Sequence, residues 1–349
     1  MNTKDIEILL GITEILESHT VYNAQDWKIY NALNAVFNDA DFERLHPRDK
    51  EGKFAKSGSS FSKDTHKPSK EYADTLQSVS ESNKQNIDSN TLIERASKAL
   101  GRNEQEIREA ISFAEKYNEG IKNKHLETQT KYSDGNGVYK RDRAEYHKEI
   151  IKDLFKNYKN AKPKENEAPT FIVLGGRGGS GKSKFDMPNE KRQSNIGVYD
   201  REKYIVLDAD EIKNYLPEYK GYNAYEVHEE SSDILKTALI KARKMGLNVV
   251  LDGTMKSFGS TEKKIQAFKD AGYNIEMYYM HLPREKAAER AIGRFMGNNG
   301  RYVPLDVLAD MKENEANFDK LKHYASKWAF YNNDVPSEKD KPILIDKNY

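Results

Sequence analysis

An apolar strand that runs into a glycine-rich turn constrains this chain more than any other feature of its sequence. The residues Phe171-Ile-Val-Leu174 precede a turn that ends in Gly-Lys-Ser, so the segment is typical of a buried strand, a loop and a helix N-terminus. From Gly176 to Ser183 the spacing is G-x-x-x-x-G-K-S, the pattern of a phosphate-binding loop, or P-loop. A glycine-rich turn with a solvated lysine is the alternative, but such a turn does not require Gly-Lys-Ser after an apolar strand.

Each residue type in the P-loop has a physical role in binding a nucleotide. Glycines let backbone N–H groups close around phosphate oxygens, Lys182 supplies positive charge to the β- and γ-phosphates, and the Ser183 hydroxyl is placed for Mg²⁺. We therefore predict that the chain binds ATP or GTP together with Mg²⁺. The predicted nucleotide-binding residues are Gly176, Arg177, Gly178, Gly179, Ser180, Gly181, Lys182, Ser183 and Lys184.

The overall composition excludes several classes of function. The net charge of +1 gives no general attraction to nucleic acid or to anionic membranes, so we expect neither as a partner. The absence of cysteine excludes disulfides, thiolate metal sites and cysteine nucleophiles. No apolar run approaches the roughly 18 residues of a membrane span, and the N-terminus lacks the basic start and apolar core of a signal peptide. We expect a soluble cytoplasmic protein.

Composition and apolar spacing divide the 349 residues into four segments. The polar tract within 57–89, rich in Ser, Lys, Asp, Asn and Gln, contains too few apolar residues to offset the entropy of ordering it. We predict a small helical N-terminal region at 1–56, a flexible linker at 57–89, a helical region at 90–164, and an α/β domain at 165–349.

Helical spacing of apolar residues locates the individual helices of the front half. We predict helices at 5–18 and 25–38, two between 91 and 123 broken near Gly101, and one at 140–158. On the last of these, Arg143 and His147 lie four residues apart. A solvated pair is favoured there over a role facing a substrate.

Behind the P-loop the chain alternates between strands and helices, as a parallel α/β domain does. We expect functional residues at the carboxyl ends of the strands, where ligands bind in open α/β sheets. The predicted strands are 204–207, 248–251, 274–280, 329–331 and 342–345, and the predicted helices are 225–245, 262–271, 284–295 and 305–318.

Three aspartates follow two of these strands. Asp208 and Asp210 flank one residue, so one side chain can face a metal and the other an acceptor. We assign Asp208 to Mg²⁺ and Asp210 to the base that accepts the acceptor's proton, because phosphoryl transfer depends mostly on positioning and charge stabilisation. The alternative for Asp210 is a helix N-cap. Asp252, after the next strand, is a candidate for substrate binding and a rival for the metal.

Other polar residues are placed to contact the substrates. Arg294 and Arg301 flank a glycine- and asparagine-containing loop, a suitable place for a clamp that neutralises charge on the transferred phosphoryl group, although solvated arginines are the alternative. The predicted substrate-binding residues also include His228, Glu229, Ser232 and Thr254. The first three can equally form a solvated first helical turn, where acidic residues suit the helix dipole.

Over about 165–349 the chain resembles the zeta toxin family of P-loop kinases. The resemblance rests on an ordered set of motifs: Gly-Gly-Arg-Gly-Gly-Ser-Gly-Lys-Ser, Val-Leu-Asp-Ala-Asp-Glu-Ile-Lys, His-Glu-Glu-Ser-Ser, Val-Val-Leu-Asp-Gly-Thr and the two later arginines. The resemblance implies a nucleotide-kinase-like parallel sheet, with ATP or GTP and Mg²⁺ at the P-loop and UDP-N-acetylglucosamine as the acceptor. It implies Lys182 and Ser183 at the phosphates and metal, Asp210 as the base, and Arg294 and Arg301 as the clamp. Many members have a glutamate where this chain has Asp252.

The basic segment 42–56, Phe-Glu-Arg-Leu-His-Pro-Arg-Asp-Lys-Glu-Gly-Lys-Phe-Ala-Lys, is similar to a segment of phage head-associated proteins. That similarity implies a phage setting, with virion association and a phage-particle protein as partner. The zeta resemblance implies instead a small helical antitoxin as partner. Two alternatives to a nucleotide-sugar kinase stay open: a kinase for another small molecule or antibiotic, and a nucleotide-binding phage structural protein without turnover.

Overall fold

The structure is a computed structural model that describes residues 66–134, 138–297 and 300–349. The predicted helices at 5–18 and 25–38 and the basic segment 42–56 lie outside these residues. The helices are α1 (Lys70–Lys84), α2 (Ser89–Leu100), α3 (Glu104–Lys124), α4 (Thr128–Tyr132), α5 (Arg141–Leu154), α6 (Ala209–Ile212), α7 (His228–Lys244), α8 (Phe258–Asp270), α9 (Arg284–Phe295), α10 (Leu305–Ala309) and α11 (Asn314–Leu321). The strands are β1 (Thr170–Gly175), β2 (Ile205–Asp208), β3 (Val249–Asp252), β4 (Asn274–His281), β5 (Lys327–Asn332) and β6 (Ile343–Lys347). Across the described ranges, no helix has both the length and the apolar character that crossing a membrane requires.

The strands form one sheet in the order β2-β3-β1-β4-β5-β6. The first five strands are parallel, and β6 pairs antiparallel with β5. This confirms the predicted P-loop α/β fold. Because β1 lies between β3 and β4, the P-loop emerges near the middle of the sheet, where neighbouring strand ends can contribute side chains.

Alternate residues of strand β1 point to opposite faces of the sheet. Both faces of the strand are buried. On one face, Ile172 and Leu174 pack against Phe185 in a buried cluster. On the other face, Phe171 stacks on Phe268 of α8 with 3.8 Å between ring centroids. The strand that carries the P-loop is therefore held from both sides.

The prediction of a helix directly after the P-loop is wrong. The chain forms a short 3₁₀ helix, Lys182–Phe185, and is already extended at Asp186, where ψ is 163°. Pro188 prevents the helix from continuing further, since its ring disfavours helical geometry at Met187 and it has no N–H to donate. The Asp186 carboxylate accepts a hydrogen bond of 2.8 Å from the backbone of Met187 and so fixes the turn.

A helix also replaces part of the linker predicted at 57–89. Helix α1 begins after Ser69, whose hydroxyl accepts a hydrogen bond from the backbone N–H of Tyr72. The Tyr72 ring is 1% exposed and packs edge-on against Phe330 at 5.1 Å and tilted against Trp328 at 5.9 Å. One well-placed aromatic residue and a helix cap thus order a segment whose composition predicts disorder.

The helix predicted at 305–318 is two helices, α10 and α11. The break leaves backbone carbonyl groups available to two buried arginines. Arg177 donates to the carbonyl oxygen of Met311 at 2.9 Å, and Arg284 donates to that of Ala309 at 2.9 Å. A continuous helix would use carbonyls at these positions for its own hydrogen bonds.

Helices α2 and α3 confirm the pair predicted between 91 and 123, and they pack on α9 and α10 in a shared apolar core. Gly101 ends α2 in the left-handed conformation with φ 61°. Across the interface, Arg95 pairs with Glu289 at 2.5 Å, and the Tyr302 hydroxyl donates to Glu115 at 3.2 Å. The core residues are Leu92, Ile93, Ala96, Ile107, Ile111, Ala114, Ala288, Ala291, Ile292, Tyr302, Leu305 and Leu308.

Helix α5 confirms the helix predicted near 140–158, but its Arg143 and His147 are not a solvated pair. Arg143 is 9% exposed and binds both Glu218, at 2.8 Å, and Glu230, at 2.5 Å. His147 lies 2.6 Å from the same Glu230, which is fully buried. The pair therefore fastens α5 to α7.

Candidate active site

The P-loop lies at the carboxyl end of β1 and is packed tightly against its surroundings. Gly176 has φ 141° and Gly179 has φ 92°, values that L side chains rarely adopt. A Cβ atom on Gly179 would lie 2.4 Å from the backbone oxygen of Ala287, at the start of α9. The glycines are needed both for the turn and for this close approach.

Lys182 lies at the mouth of the P-loop. Its ammonium group donates to the carbonyl oxygen of Gly176 at 3.0 Å and lies 3.5 Å from the Asp252 carboxylate. Ser183 is exposed on the adjoining 3₁₀ turn. Lys182 is thus close to both the P-loop and the Asp252 carboxylate, as binding of a metal-bound phosphate requires.

Asp208 and Asp252 lie side by side at the ends of β2 and β3, because the two residues are partners in the strand register. Leu174 of β1 is in turn the register partner of Asp252, so both carboxylates lie beside the P-loop. Burial, then the charges of Asp252 and Asp210, raise the pKa of Asp208 to about 7. Burial also raises the pKa of Asp252, against the opposing effect of Lys182.

Two crowded carboxylates whose charges repel each other fit a divalent cation. Mg²⁺ at a nucleotide site is held by one or two carboxylates together with substrate phosphates, and it prefers oxygen ligands. Asp208, Asp252 and the Ser183 hydroxyl supply such a set. Asp208 also accepts a 2.7 Å hydrogen bond from the backbone of Asp210, so Asp208 caps α6 rather than Asp210.

Asp210 is bound by two cations. Its Oδ1 accepts from Lys213 at 3.0 Å, and its Oδ2 pairs with Arg301. Burial acts to raise the pKa of Asp210, but Lys213 and Arg301 outweigh it and hold the pKa below its ordinary value. The group is therefore ionised, and the same two cations weaken it as a base.

The two predicted clamp arginines converge on this region. An Arg294 Nη atom lies 3.9 Å from where a Cβ on Gly178 would be, so this side chain reaches over the P-loop from the last turn of α9. Burial of the Arg294 side chain lowers its pKa, and the charge of Arg301 lowers it further. Arg294 nevertheless stays a cation. The structure thus brings together Lys182, Asp210 and both arginines.

The other predicted substrate residues differ in their placement. His228 begins α7, and its pKa is lowered by desolvation and then by Lys213, which places it on the Asp210 side. Glu229 is exposed and Ser232 is half-buried, and within the described ranges neither hydrogen-bonds the P-loop. Thr254 follows β3, and its carbonyl oxygen accepts from Asn314 at 2.7 Å.

Two predicted nucleotide-binding side chains do not face the phosphates. The Arg177 guanidinium is 2% exposed and pairs with Glu315 beneath the loop. The Lys184 ammonium donates to the Asn333 side chain at 3.1 Å and to the carbonyl oxygen of Asp340 at 2.9 Å. Both predictions are wrong for the side chains, because the spacing of the P-loop does not specify where its variable positions point.

Sequence reasoning missed two residues that shape the site. Lys213 has only its spacing of three residues from Asp210 as a signal, which places the two on one side of a helical turn. Asn333 braces the P-loop by donating to the carbonyl oxygen of Ser180 at 2.7 Å. The Ser180 hydroxyl oxygen is buried without a hydrogen-bond partner in the described residues, inside the loop where a phosphate oxygen would bind.

Comparisons with known proteins identify relatives of this chain. A family model described as Zeta toxin matches residues 153–341, more than half of the chain. Toxin PezT of Streptococcus pneumoniae serotype 4 is 23% identical over 122 residues, which are 33% of this chain and 45% of that protein. Toxin zeta of Streptococcus pyogenes is 26% identical over 147 residues, which are 40% of this chain and 46% of that protein. The chain spans less than half the length of these relatives.

Two solved structures are also similar. One belongs to the PezAT chromosomal toxin-antitoxin system of Streptococcus pneumoniae, with a TM-score of 0.43, 16% identity, and coverage of 58% of this chain and 80% of that one. The other is AvrRxo1-ORF1:-ORF2 with ATP, with a TM-score of 0.46, 14% identity, and coverage of 60% of this chain and 68% of that one.

Proposed function

The chain belongs to the zeta toxin family, and on this premise we propose that it is a P-loop phosphotransferase that moves the γ-phosphoryl group of ATP or GTP to a hydroxyl group of a small acceptor. One observation carries the proposal. The P-loop with Lys182, the Asp210 carboxylate with Lys213 and Arg301, and the side chain of Arg294 meet at one end of the sheet. Phosphoryl transfer needs these groups and little else from a protein.

The donor side of the site is the P-loop with its neighbouring carboxylates. Backbone N–H groups of the glycine turn and the Lys182 ammonium bind the β- and γ-phosphates. Ser183, Asp208 and Asp252 would hold Mg²⁺, which when bound neutralises phosphate charge and orients the γ-phosphoryl group. Lys182 leaves the Gly176 carbonyl and Asp252 to contact the nucleotide.

The acceptor side is centred on Asp210. Its carboxylate accepts the proton of the acceptor hydroxyl as the oxygen attacks the γ-phosphorus and the bond to the β–γ bridging oxygen breaks. Arg301 releases Asp210 and, with Arg294, moves onto the equatorial oxygens of the transferred group. This exchange of partners explains why Arg301 pairs with Asp210 before the substrates bind.

We propose a nucleotide sugar, UDP-N-acetylglucosamine, as the acceptor. Membership of the family supports this choice, and the imidazole of His228, close enough to Asp210 for their charges to interact, can hydrogen-bond a sugar. The relatives are named toxins, which supports a toxic activity and a neutralising antitoxin as partner. If so, induced expression of the wild type stops growth and that of Asp210→Asn does not.

Coupled ADP release by the purified full chain tests the activity, with and without UDP-N-acetylglucosamine and followed by mass analysis of the sugar nucleotide. We expect ADP release that depends on the acceptor and a product heavier by one phosphoryl group. Nucleotide binding without turnover on this acceptor would reject the nucleotide-sugar proposal. A panel of hydroxyl-bearing small molecules would then test the wider kinase proposal.

A further inference from the structure

The side chain of Arg177 leaves the P-loop on the side away from the phosphates, and every nitrogen of its guanidinium is engaged. Nε donates to the carbonyl oxygen of Met311 at 2.9 Å, and Nη1 donates to that of Leu282 at 3.3 Å. Nη1 and Nη2 bind the two carboxylate oxygens of Glu315, the second at 2.7 Å. At 2% exposure, this arginine cannot reach a nucleotide without losing all four contacts.

Glu315 joins the P-loop to two other elements. It lies on α11, is 1% exposed, and has a second partner in His281 at the end of β4, whose Nδ1 is 2.8 Å from Oε1. A buried ion pair is a poor source of stability, because the cost of removing two charges from water offsets most of their attraction. What such a pair supplies is a fixed geometry, here with a bidentate arginine.

Helix α11 also holds the loop that follows Asp252. Asn314 donates to the carbonyl oxygen of Thr254 at 2.7 Å, and Asn317 donates to those of Met255 and Lys256, each at 2.9 Å. Met255 has φ 57°, a strained value for a residue with a side chain. The same helix therefore grips the P-loop through Glu315 and the β3 loop through its two asparagines.

We propose that Arg177 and Glu315 are positioning residues that fix the P-loop relative to the β3 loop through α11, and so set the spacing of Lys182 and Asp252. This inference rests on the proposed phosphoryl transfer at that site. Neither residue touches the substrates. Since displacement of a reacting group by about 1 Å can cost about 100-fold in rate, we expect loss of the pair to lower kcat far more than it weakens nucleotide binding.

Two variants of the full chain test the proposal, Glu315→Gln and Arg177→Lys. We expect Glu315→Gln to lower kcat by about 10- to 100-fold while the KM for ATP changes by less than about threefold. Arg177→Lys keeps the charge but loses the bidentate contact, so we expect a loss of similar size. Hydrogen exchange of the peptide 171–185 in the nucleotide-free protein should be faster in both variants.

Glu230→Gln is a matched control, because Glu230 is also fully buried between an arginine and a histidine, Arg143 and His147. It should lower Tm without faster exchange at 171–185. Unchanged exchange in Glu315→Gln, or faster exchange with an unchanged kcat per folded molecule, would overturn the positioning role. If the wild type transfers no phosphoryl group, the proposed function fails, and the exchange comparison alone still decides whether the pair fixes the P-loop.

Discussion

The charge state of Asp210 depends on its two cationic neighbours, Lys213 and Arg301. The proposed base must be ionised before an acceptor binds, and Lys213 and Arg301 keep this carboxylate ionised despite its burial. The same cations weaken it as a base, because they stabilise the charged form. Transfer of Arg301 to the phosphoryl group would remove part of that effect when a proton must be accepted.

The Lys213→Met variant tests this balance. Lys213 is 5% exposed and its cation lowers the pKa of Asp210, so its removal raises that pKa. We expect the acid limb of kcat/KM against pH to move to higher pH by about one unit, with activity lost sooner as pH falls. Lys203→Met, at a solvent-exposed ion pair, is the control. An acid limb that stays in place would mean that Lys213 does not tune the base.

Asp208 predicts a second pH effect, on stability. Its pKa is raised from 3.8 to about 7, so the folded protein binds this proton more tightly than the unfolded chain does. The resulting stabilisation is complete below about pH 4 and is lost as pH rises to about 7. Asp208→Asn, which can still cap α6, should therefore be more stable than the wild type at pH 8 without divalent cations. Thermal unfolding in EDTA from pH 5 to 8 measures this, and parallel stability curves for the two proteins would contradict it.

At the residue scale, the sequence predicts where residues lie when their positions follow from the fixed spacing of a motif. Lys182, Asp210, Arg294 and Arg301 come together as the motifs predict, because strand ends and the P-loop converge in this fold. The side-chain direction of Arg177 is a different matter, since it depends on a carboxylate 138 positions away. No local pattern carries that information.

Among the elements, α1 shows how little sequence signal a helix needs when it packs on a preformed sheet. Its anchors are Tyr72, which contacts Trp328 and donates to Asp319 at 3.0 Å, and His66, which lies 2.9 Å from Asp346 of β6. Composition alone predicts disorder here, because it counts apolar residues without knowing which surface is available to them. The break between α10 and α11 likewise leaves carbonyl groups that accept hydrogen bonds from distant arginines.

Tyr72→Ala tests whether α1 contributes to stability. Removal of a buried aromatic ring should cost about 3–5 kcal/mol in the free energy of unfolding, measured by urea denaturation. Tyr72→Phe keeps the ring and loses only the hydrogen bond to Asp319, so it should cost about 1 kcal/mol. A change below about 0.5 kcal/mol for Tyr72→Ala would show that α1 is not firmly packed.

Over the described part of the molecule, helices ahead of the family-matched segment share an apolar core with helices inside it. Helices α2 and α3 cover the apolar faces of α9 and α10, which flank the arginine-bearing loop. Apolar periodicity predicts these helices, but their mutual packing does not follow from it. Long-range packing of this kind needs the three-dimensional structure.

A shortened protein that starts at residue 128 tests this dependence. It would expose apolar residues of α9 and α10, including Ile292, Leu305 and Leu308. We expect association in size-exclusion chromatography and a Tm lower than that of the full chain, since large exposed apolar patches drive aggregation. A monomer with an unchanged Tm would show that α2 and α3 are dispensable for folding.

The most direct test of phosphoryl transfer at this site is the movement of radiolabelled γ-phosphate from ATP to UDP-N-acetylglucosamine by the wild type and by Asp210→Asn. We predict labelled sugar nucleotide with the wild type, and a rate lower by about 10²- to 10⁴-fold in the variant. ATP binding should survive in both proteins. Equal transfer by the two proteins would contradict the role of Asp210, and no transfer to this or any other hydroxyl acceptor would contradict the proposed activity.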